Sequence, residues 1–530
     1  MSYMHISPID LRQVMKSKEE YALIDVREQG VHSEGHPFFA IPLPLSRFEL
    51  DVDRLLPRKS VPIYLLDQGP EMELAVRAAE LLIERSYTNI AIVEGGTLAW
   101  REAGLELFSG VNVPSKAFGE FVEEAYETPH ITAENLAKRQ ENGEKIAVLD
   151  SRPFPEYHRM SIPGGIDMPG AELVHRVFET VEDDETQIVV NCAGRTRSII
   201  GAQSLINAGL SNPICALKDG TMGWYLANLE LAHREDAVAP APGSSAAVRS
   251  QKAALAVADR FDVKFTNLET VKSWQNDDER TLYVLDVRTE EEFLEGHLPG
   301  SYHAPGGQLV QATDEYVAVR NAKIVVVDDD ATRAVMTASW LTQMDWQDVY
   351  VLQGVLDVEC EQGYHSMPSI PLQPHISVLE LDAVLTSREA VAVIDLASSL
   401  AYRKGHIPGA YWAIRSRLST DHIFIPPVGL IILTSEDSLL AHLAAPEIAR
   451  LRPDAIIRVL EGGTTAWESS GQKLESGDTS LLSKVDDVWY KPYDTGNPEE
   501  IRRRMQDYLT WEVGLLEQVE RDGLVRFRQY

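Results

Sequence analysis

Cysteine is scarce in this chain: Cys192, Cys215 and Cys360 are the three in 530 residues. None falls in a CxxC pair, so neither a disulfide framework nor a structural zinc site is expected, and a reducing compartment fits best. Positive charge is short as well. Against 81 Asp and Glu stand 49 Lys and Arg, a formal net charge of −32. That balance argues against broad attraction to nucleic acid or to an anionic membrane surface, because phosphate binding needs clustered Lys and Arg. An anionic substrate must therefore be caught at a local positive site. Long apolar runs are missing too: none approaches the roughly 20 residues of a membrane span. The N-terminal "MSYMHISPIDLRQVM" has neither a basic nor an apolar leader region. The expectation is a cytoplasmic protein with no nucleic-acid and no membrane partner.

What remains is an ordinary globular composition, 44% hydrophobic and 25% charged. The chain is too long for one core, and its length predicts three to five domains. One pattern recurs four times. "ALIDVREQGVHSEGH", "AVLDSRPFPEYHRMSIPGG", "YVLDVRTEEEFLEGHLPGS" and "AVIDLASSLAYRKGHIPGA" each run from an apolar strand through Asp25, Asp150, Asp286 or Asp395 into a polar helical turn. A second apolar strand follows in each copy ("VPIYLLD", "QIVVNC", "KIVVVDDD", "GLIILTS"). A Gly-turn landmark then closes the unit: "IVEGGTLAW", "ALKDGTMGW", "VLQGVLDVE" and "VLEGGTTAW". Short, continuously apolar strands alternating with helices predict four small α/β domains, each a parallel sheet with helices on both faces. The boundaries are read as 1–112, 122–236, 251–370 and 373–476. Residues 237–250, rich in Ala, Pro, Gly and Ser, are read as a linker dividing the chain into two pairs of domains. Residues 477–530 break the repeat as an aromatic loop and an amphipathic helix of about 25 residues, with Met505, Leu509, Val513, Leu516 and Val519 on its apolar stripe. This C-terminal arm has to cover something, either within the chain or across a homodimer.

Strand-"LDVR", "GHLPGS" or "GHIPGA", a Cys loop before a helix and "EGGxxAW" together resemble the rhodanese (sulfurtransferase) homology domain, in four tandem copies reaching to about residue 476. The resemblance implies a sulfane-sulfur carrier whose loop cysteine cycles between thiolate and persulfide, with no metal or cofactor required. Only the second copy, "NCAGRTRS", has cysteine at the loop position. Asp67, Asp328 and Ser435 stand there in the other three, which are expected to be inactive because neither carboxylate nor hydroxyl can hold a persulfide.

Cys192 ends an apolar strand and opens a helix, where unpaired backbone N–H groups favour an anion. The expected catalytic residue is Cys192. The expected substrate-binding residues are Ala193, Gly194, Arg195, Thr196, Arg197 and Ser198 of its loop. Arg152 in "LDSRP" is placed by resemblance near the active-site mouth, with an Asp-paired structural arginine as its alternative. The repeated aspartates read as fixing the strand-end turns, the Gly-His histidines (His36, His297, His406) as structural, and Trp100, Trp224 and Trp467 as core. The expected partners are a small anionic sulfur donor such as thiosulfate and a thiol or cyanide acceptor. Two other readings stay open: a noncatalytic sulfur-carrier or interaction scaffold, and phosphatase or arsenate reductase chemistry. The latter relatives carry a longer C-x5-R loop, whereas here Arg197 comes one place early.

Overall fold

The structure is a computed structural model describing residues 3–69, 73–354, 360–364, 370–387 and 390–530. The third copy's closing landmark, 351–359, lies mostly outside the described residues. Each repeat folds the same way. Its five strands pair in parallel in the order first, fifth, fourth, second, third, with crossover helices covering the faces. In the second copy the three central strands are Ile146–Asp150, Gln187–Asn191 and Ile214–Leu217. Asp150 is in register with Asn191, so Cys192 begins immediately beyond the carboxyl edge of the sheet, beside the Asp turn. Among the described residues no helix is long and apolar enough to cross a membrane.

The repeated aspartate holds the turn after its strand. Its Oδ1 accepts the backbone N–H two residues on: Arg27, Arg152 and Arg288 at 3.1 Å, Ala397 at 2.9 Å. In the first three copies the arginine also folds back onto that carboxylate and donates to the carbonyl of Gly35, Met160 or Gly296. The histidine of Gly-His stacks on a ring four residues earlier, His32, Phe293 or Tyr402. Ser161 stands in its place in the second copy, keeping the same backbone bridge, to Ala232. Trp100, Trp224 and Trp467 are buried, each donating its indole N–H to a carbonyl six residues on.

The division into two pairs is not what the molecule adopts. One side of each of the first three sheets joins a single continuous apolar cluster while the other side keeps a cluster of its own, and the fourth sheet has two separate clusters. Residues 237–250 are extended only to Gly243, and an Ala-rich helix, Ser244–Arg260, then begins inside the expected linker. Alanine favours helix, and here its small side chains (Ala253, Ala254, Ala258) are buried in the shared core. Trp340 Nε1 donates to Ser204 Oγ across the second and third units at 2.9 Å. Tyr283 Oη donates to the Leu55 carbonyl across the third and first at 2.6 Å.

The C-terminal arm docks within its own chain. Its helix, Pro498–Asp522, is 25 residues long, opened by an Asn497–Glu500 capping box and closed by Gly523 at φ +67°. Its buried face is Met505, Glu512, Leu515 and Val519; Leu515 and Val519 pack on the helix Val113–Tyr126 that leads into the second unit, and Met505 clusters with Ala193 and Met222. Two of the expected stripe positions differ: Val513 is exposed and Leu515, not Leu516, is fully buried. The tail continues inward, Phe527 stacking edge-on against Phe118.

Asp395 has lost its arginine, since Ala397 occupies that position, and burial pushes its carboxyl up to about 6. A carboxyl raised in the folded state binds its proton more tightly there, so its contribution is full below the unfolded value near 4 and is lost as pH rises through 6. Asp395→Asn is therefore expected to raise the unfolding temperature of the fourth unit at pH 8 and to leave it nearly unchanged at pH 4. Calorimetry at the two pH values checks this.

Candidate active site

The loop Cys192–Arg195 connects the strand Gln187–Asn191 to the helix Thr196–Asn207. The Cys192 thiol is buried and lies 3.5 Å from Ser198 Oγ, which itself donates to the Arg195 carbonyl. The backbone N–H groups of Gly194, Arg195, Arg197 and Ser198 find no acceptor among the described residues. The third unit shows what such a loop looks like when filled. Asp328 takes the cysteine's place with the same spacing to its helix, and its carboxylate accepts the N–H groups of Asp330, Ala331, Arg333 and Ala334 at 2.5 to 3.0 Å. Those donors stand two, three, five and six residues on, the same offsets as in the Cys192 loop. In the first unit Asp67 likewise accepts from Gly69 and Ala75. The Asp copies fill their anion cradles from within, and the Cys copy leaves its own for sulfur or substrate.

The Gly-turn landmark buttresses this loop. Gly220 (φ +54°) lies so close beneath it that a Cβ would stand 2.3 Å from the Cys192 carbonyl oxygen. The N–H groups of Thr221 and Met222 donate to the Cys192 and Ala193 carbonyls at 2.9 and 3.0 Å. Gly96 on Asp67 and Gly463 on Ser435 repeat the contact, which explains why a glycine recurs at this point.

A cavity of about 300 Å³ opens over Cys192. Ala193, Gly194, Thr196 and Arg197 of the loop line it; Arg195, Ser198 and Arg152 do not. Arg195 turns away to a buried ion-pair cluster, with Glu120 at 2.8 Å, Glu123, and Asp219 at 3.3 Å. Arg152 is wholly buried against Asp150 and the Met160 carbonyl, the structural alternative weighed from the sequence. The Thr196 hydroxyl is donated to Glu512 of the C-terminal helix at 2.7 Å. Arg197 faces the cavity while pairing with Glu156 at 2.8 Å. Burial pulls the Arg197 guanidinium down, but Glu156 and then the Cys192 sulfur more than offset this and hold it charged. Burial pushes Glu156 up, and Arg197 with Lys491 overrides it, keeping that carboxylate ionised well below its usual range.

Much of the wall comes from outside the second unit. Asn112 and Lys116 enter from the first unit's end and the helix after it, Gln308 and Glu315 from the third unit, and Tyr493 and Tyr508 from the arm. None of these was singled out in the sequence, because each reaches the site only through tertiary folding. Of the other cysteines, Cys215 is buried in its strand, where burial pushes its thiol up and Gln187 Nε2 donates to the sulfur. Cys360 is exposed.

The rhodanese-like domain model matches residues 7–103, 132–227 and 267–357, more than half the chain. The chain belongs to the rhodanese-like family. This rhodanese is similar over 99% of its length, and 99% of the other chain, to the crystal structure of a thiosulfate sulfurtransferase from Pseudomonas aeruginosa, at 44% identity and a TM-score of 0.94. It is also 35% identical over 99 residues, 19% of its own length and 42% of the other's, to an HTH-type transcriptional regulator of Mycobacterium tuberculosis. With the Bacillus subtilis protein YrkF it shares 29% over 102 residues, 19% of this chain and 54% of that one. The match thus spans about half the length of these two curated relatives.

Gly220→Ala places a methyl group against the Cys192 carbonyl in a left-handed backbone. It is expected to destabilise the rhodanese by about 1–3 kcal/mol and to alter Cys192 alkylation at temperatures where the fold persists. Chemical denaturation and thiol labelling measure both.

Proposed function

We propose that the protein is a sulfurtransferase working through a Cys192 persulfide. The Cys192 thiolate attacks the outer sulfur of an anionic donor such as thiosulfate. The donor's S–S bond breaks, and sulfite leaves with the bonding electron pair. A thiol or cyanide acceptor then attacks the outer persulfide sulfur, and Cys192 departs as thiolate. Neither half-step needs an outside oxidant or reductant.

The observation that carries this reading is the set of unpaired N–H groups around a thiol, in the same arrangement that holds a carboxylate at Asp328. A persulfide puts its negative charge where Asp328 puts its own. Binding of the donor falls to Ala193, Gly194, Thr196 and Arg197 at the cavity wall. Arg195, Ser198 and Arg152 serve by holding the loop and the strand end, through the Glu120, Glu123 and Asp219 pairs, the Arg195 carbonyl, and Asp150 with the Met160 carbonyl. In this reading residues 122–236 are the catalytic unit, 1–112 and 251–370 supply walls, and 373–476 carries the arm. The similarity to the Pseudomonas aeruginosa thiosulfate sulfurtransferase supports thiosulfate as donor, and the scarcity of cysteine, with no CxxC pair, supports a reducing, cytoplasmic setting. The reading needs no second copy of the chain, because the arm's apolar face is covered by the chain itself.

Incubation with thiosulfate, glutathione persulfide or mercaptopyruvate, followed by peptide mass spectrometry, is expected to add one sulfur atom to the Cys192 peptide and to neither of the other cysteines. Cys192→Ser should reduce thiosulfate:cyanide transfer at least a hundredfold, to about the uncatalysed rate. Full activity in that variant, or no persulfide from any donor, overturns the proposal.

A further inference from the structure

The helix Val113–Tyr126 and the C-terminal helix bring to Cys192 an ion pair that the reaction above does not use. Lys116 Nζ and Glu512 Oε1 lie 3.5 Å apart, with Lys116 mostly buried and Glu512 wholly so. The same Oε1 accepts the Thr196 hydroxyl at 2.7 Å, while Oε2 is buried without a hydrogen-bond partner. Glu512 presses directly on the loop, since a Cβ at Gly194 would stand 3.2 Å from its Oε2 and 3.2 Å from Tyr508 Cε1. Lys116 Nζ is 5.8 Å from the Tyr508 ring centroid, and Lys116, Tyr508 and Cys192 line one cavity.

Other charged and titratable groups face the sulfur from each surrounding element. Arg197 lies on its own helix, Glu156 on the helix Phe154–Arg159, Glu315 in the third unit, and Lys491 and Tyr493 in the arm. Arg197 and Lys491 both bind Glu156, at 2.8 and 3.3 Å, and Arg195 is taken by Glu120, Glu123 and Asp219. Among the described residues Lys116 is the remaining lining cation; it pairs with Glu512, set behind the loop, and faces Tyr508. Burial pushes the Tyr508 hydroxyl up and Glu512 adds to this, Lys116 beside it pulls it down, and the Cys192 sulfur adds a smaller push upward, so all four groups share one field.

We propose that Lys116 and Glu512 are opposed positioning residues for Cys192: Lys116 favours the sulfur anion across the cavity, and Glu512 moderates that pull while fixing the loop through Thr196. The inference rests on Cys192 as the nucleophile but concerns its ionisation, not the identity of donor or acceptor.

The test uses full-length protein and the pH dependence of Cys192 alkylation by iodoacetamide, read by peptide mass spectrometry. Lys116→Met is expected to displace the profile to higher pH by roughly half to one unit, and Lys116→Arg to restore it. Glu512→Gln retains an acceptor for Thr196 and leaves Lys116 unopposed, so its profile moves the other way, to lower pH. A purely structural role would move both variants in the same direction or neither. An unmoved profile in Lys116→Met, or shifts of the same sign, overturns the proposal; if Lys116→Met does not fold, Lys116→Gln carries the same expectation. The readout is independent of turnover. Opposite shifts without persulfide formation would sink the sulfurtransferase reading and leave this assignment standing, whereas persulfide formation with unmoved profiles would do the reverse.

Discussion

Backbone N–H groups that converge at the end of a buried strand favour negative charge, and in the second and third units this preference organises the loop. Leaving such donors unpaired away from water costs about 1–3 kcal/mol each. The third unit meets this preference with the Asp328 carboxyl, which accepts these N–H groups although burial pushes it up to about 7. The second unit places the Cys192 sulfur there, which in the proposed reaction is thiolate, persulfide or the neighbour of a bound anion. The loops Cys192–Ser198 and Asp328–Ala334 share only the Thr-Arg pair that opens their helices, yet the sheets beneath them have the same strand order.

The units without cysteine are then more than relics. Because the first three join one apolar cluster, the chain can bring Asn112 and Lys116 from one side and Gln308 and Glu315 from another to a cavity centred on the second unit. The arm closes it, crossing from the fourth unit past Gln29, whose N–H donates to the Asp487 carbonyl, to lay Tyr508 and Glu512 on the loop. Specificity can thus be adjusted in four separate stretches of sequence without disturbing the sheet that presents the thiol.

How much of this could be read beforehand follows from range. The four repeats, the parallel sheets, the structural aspartates and the position of Cys192 all rest on patterns within a few residues, and the sequence displays them directly. Arg195 looked equivalent to Arg197 because both follow the cysteine closely; what separates them is Glu120, 75 residues upstream, and local spacing carries no trace of it. Likewise "AVAPAPGSSAAVRSQK" has a linker's composition, yet its alanines become helix once there is a surface close enough for small side chains to pack on. The C-terminal helix announced its apolar stripe through periodicity, but not its target, since an amphipathic face states that it must be covered and not by what.

The bond from Thr196 to Glu512 spans 316 residues of chain. During synthesis domains fold in order from the N-terminus at about 5–20 residues per second, so the sheet and loop bearing Cys192 can be complete for many seconds before the covering helix exists. In that interval the thiol stands open to solvent and to whatever oxidants or electrophiles the cell contains. The covering helix therefore acts in time as well as in space: it marks the moment at which a nascent, exposed cysteine becomes a guarded one.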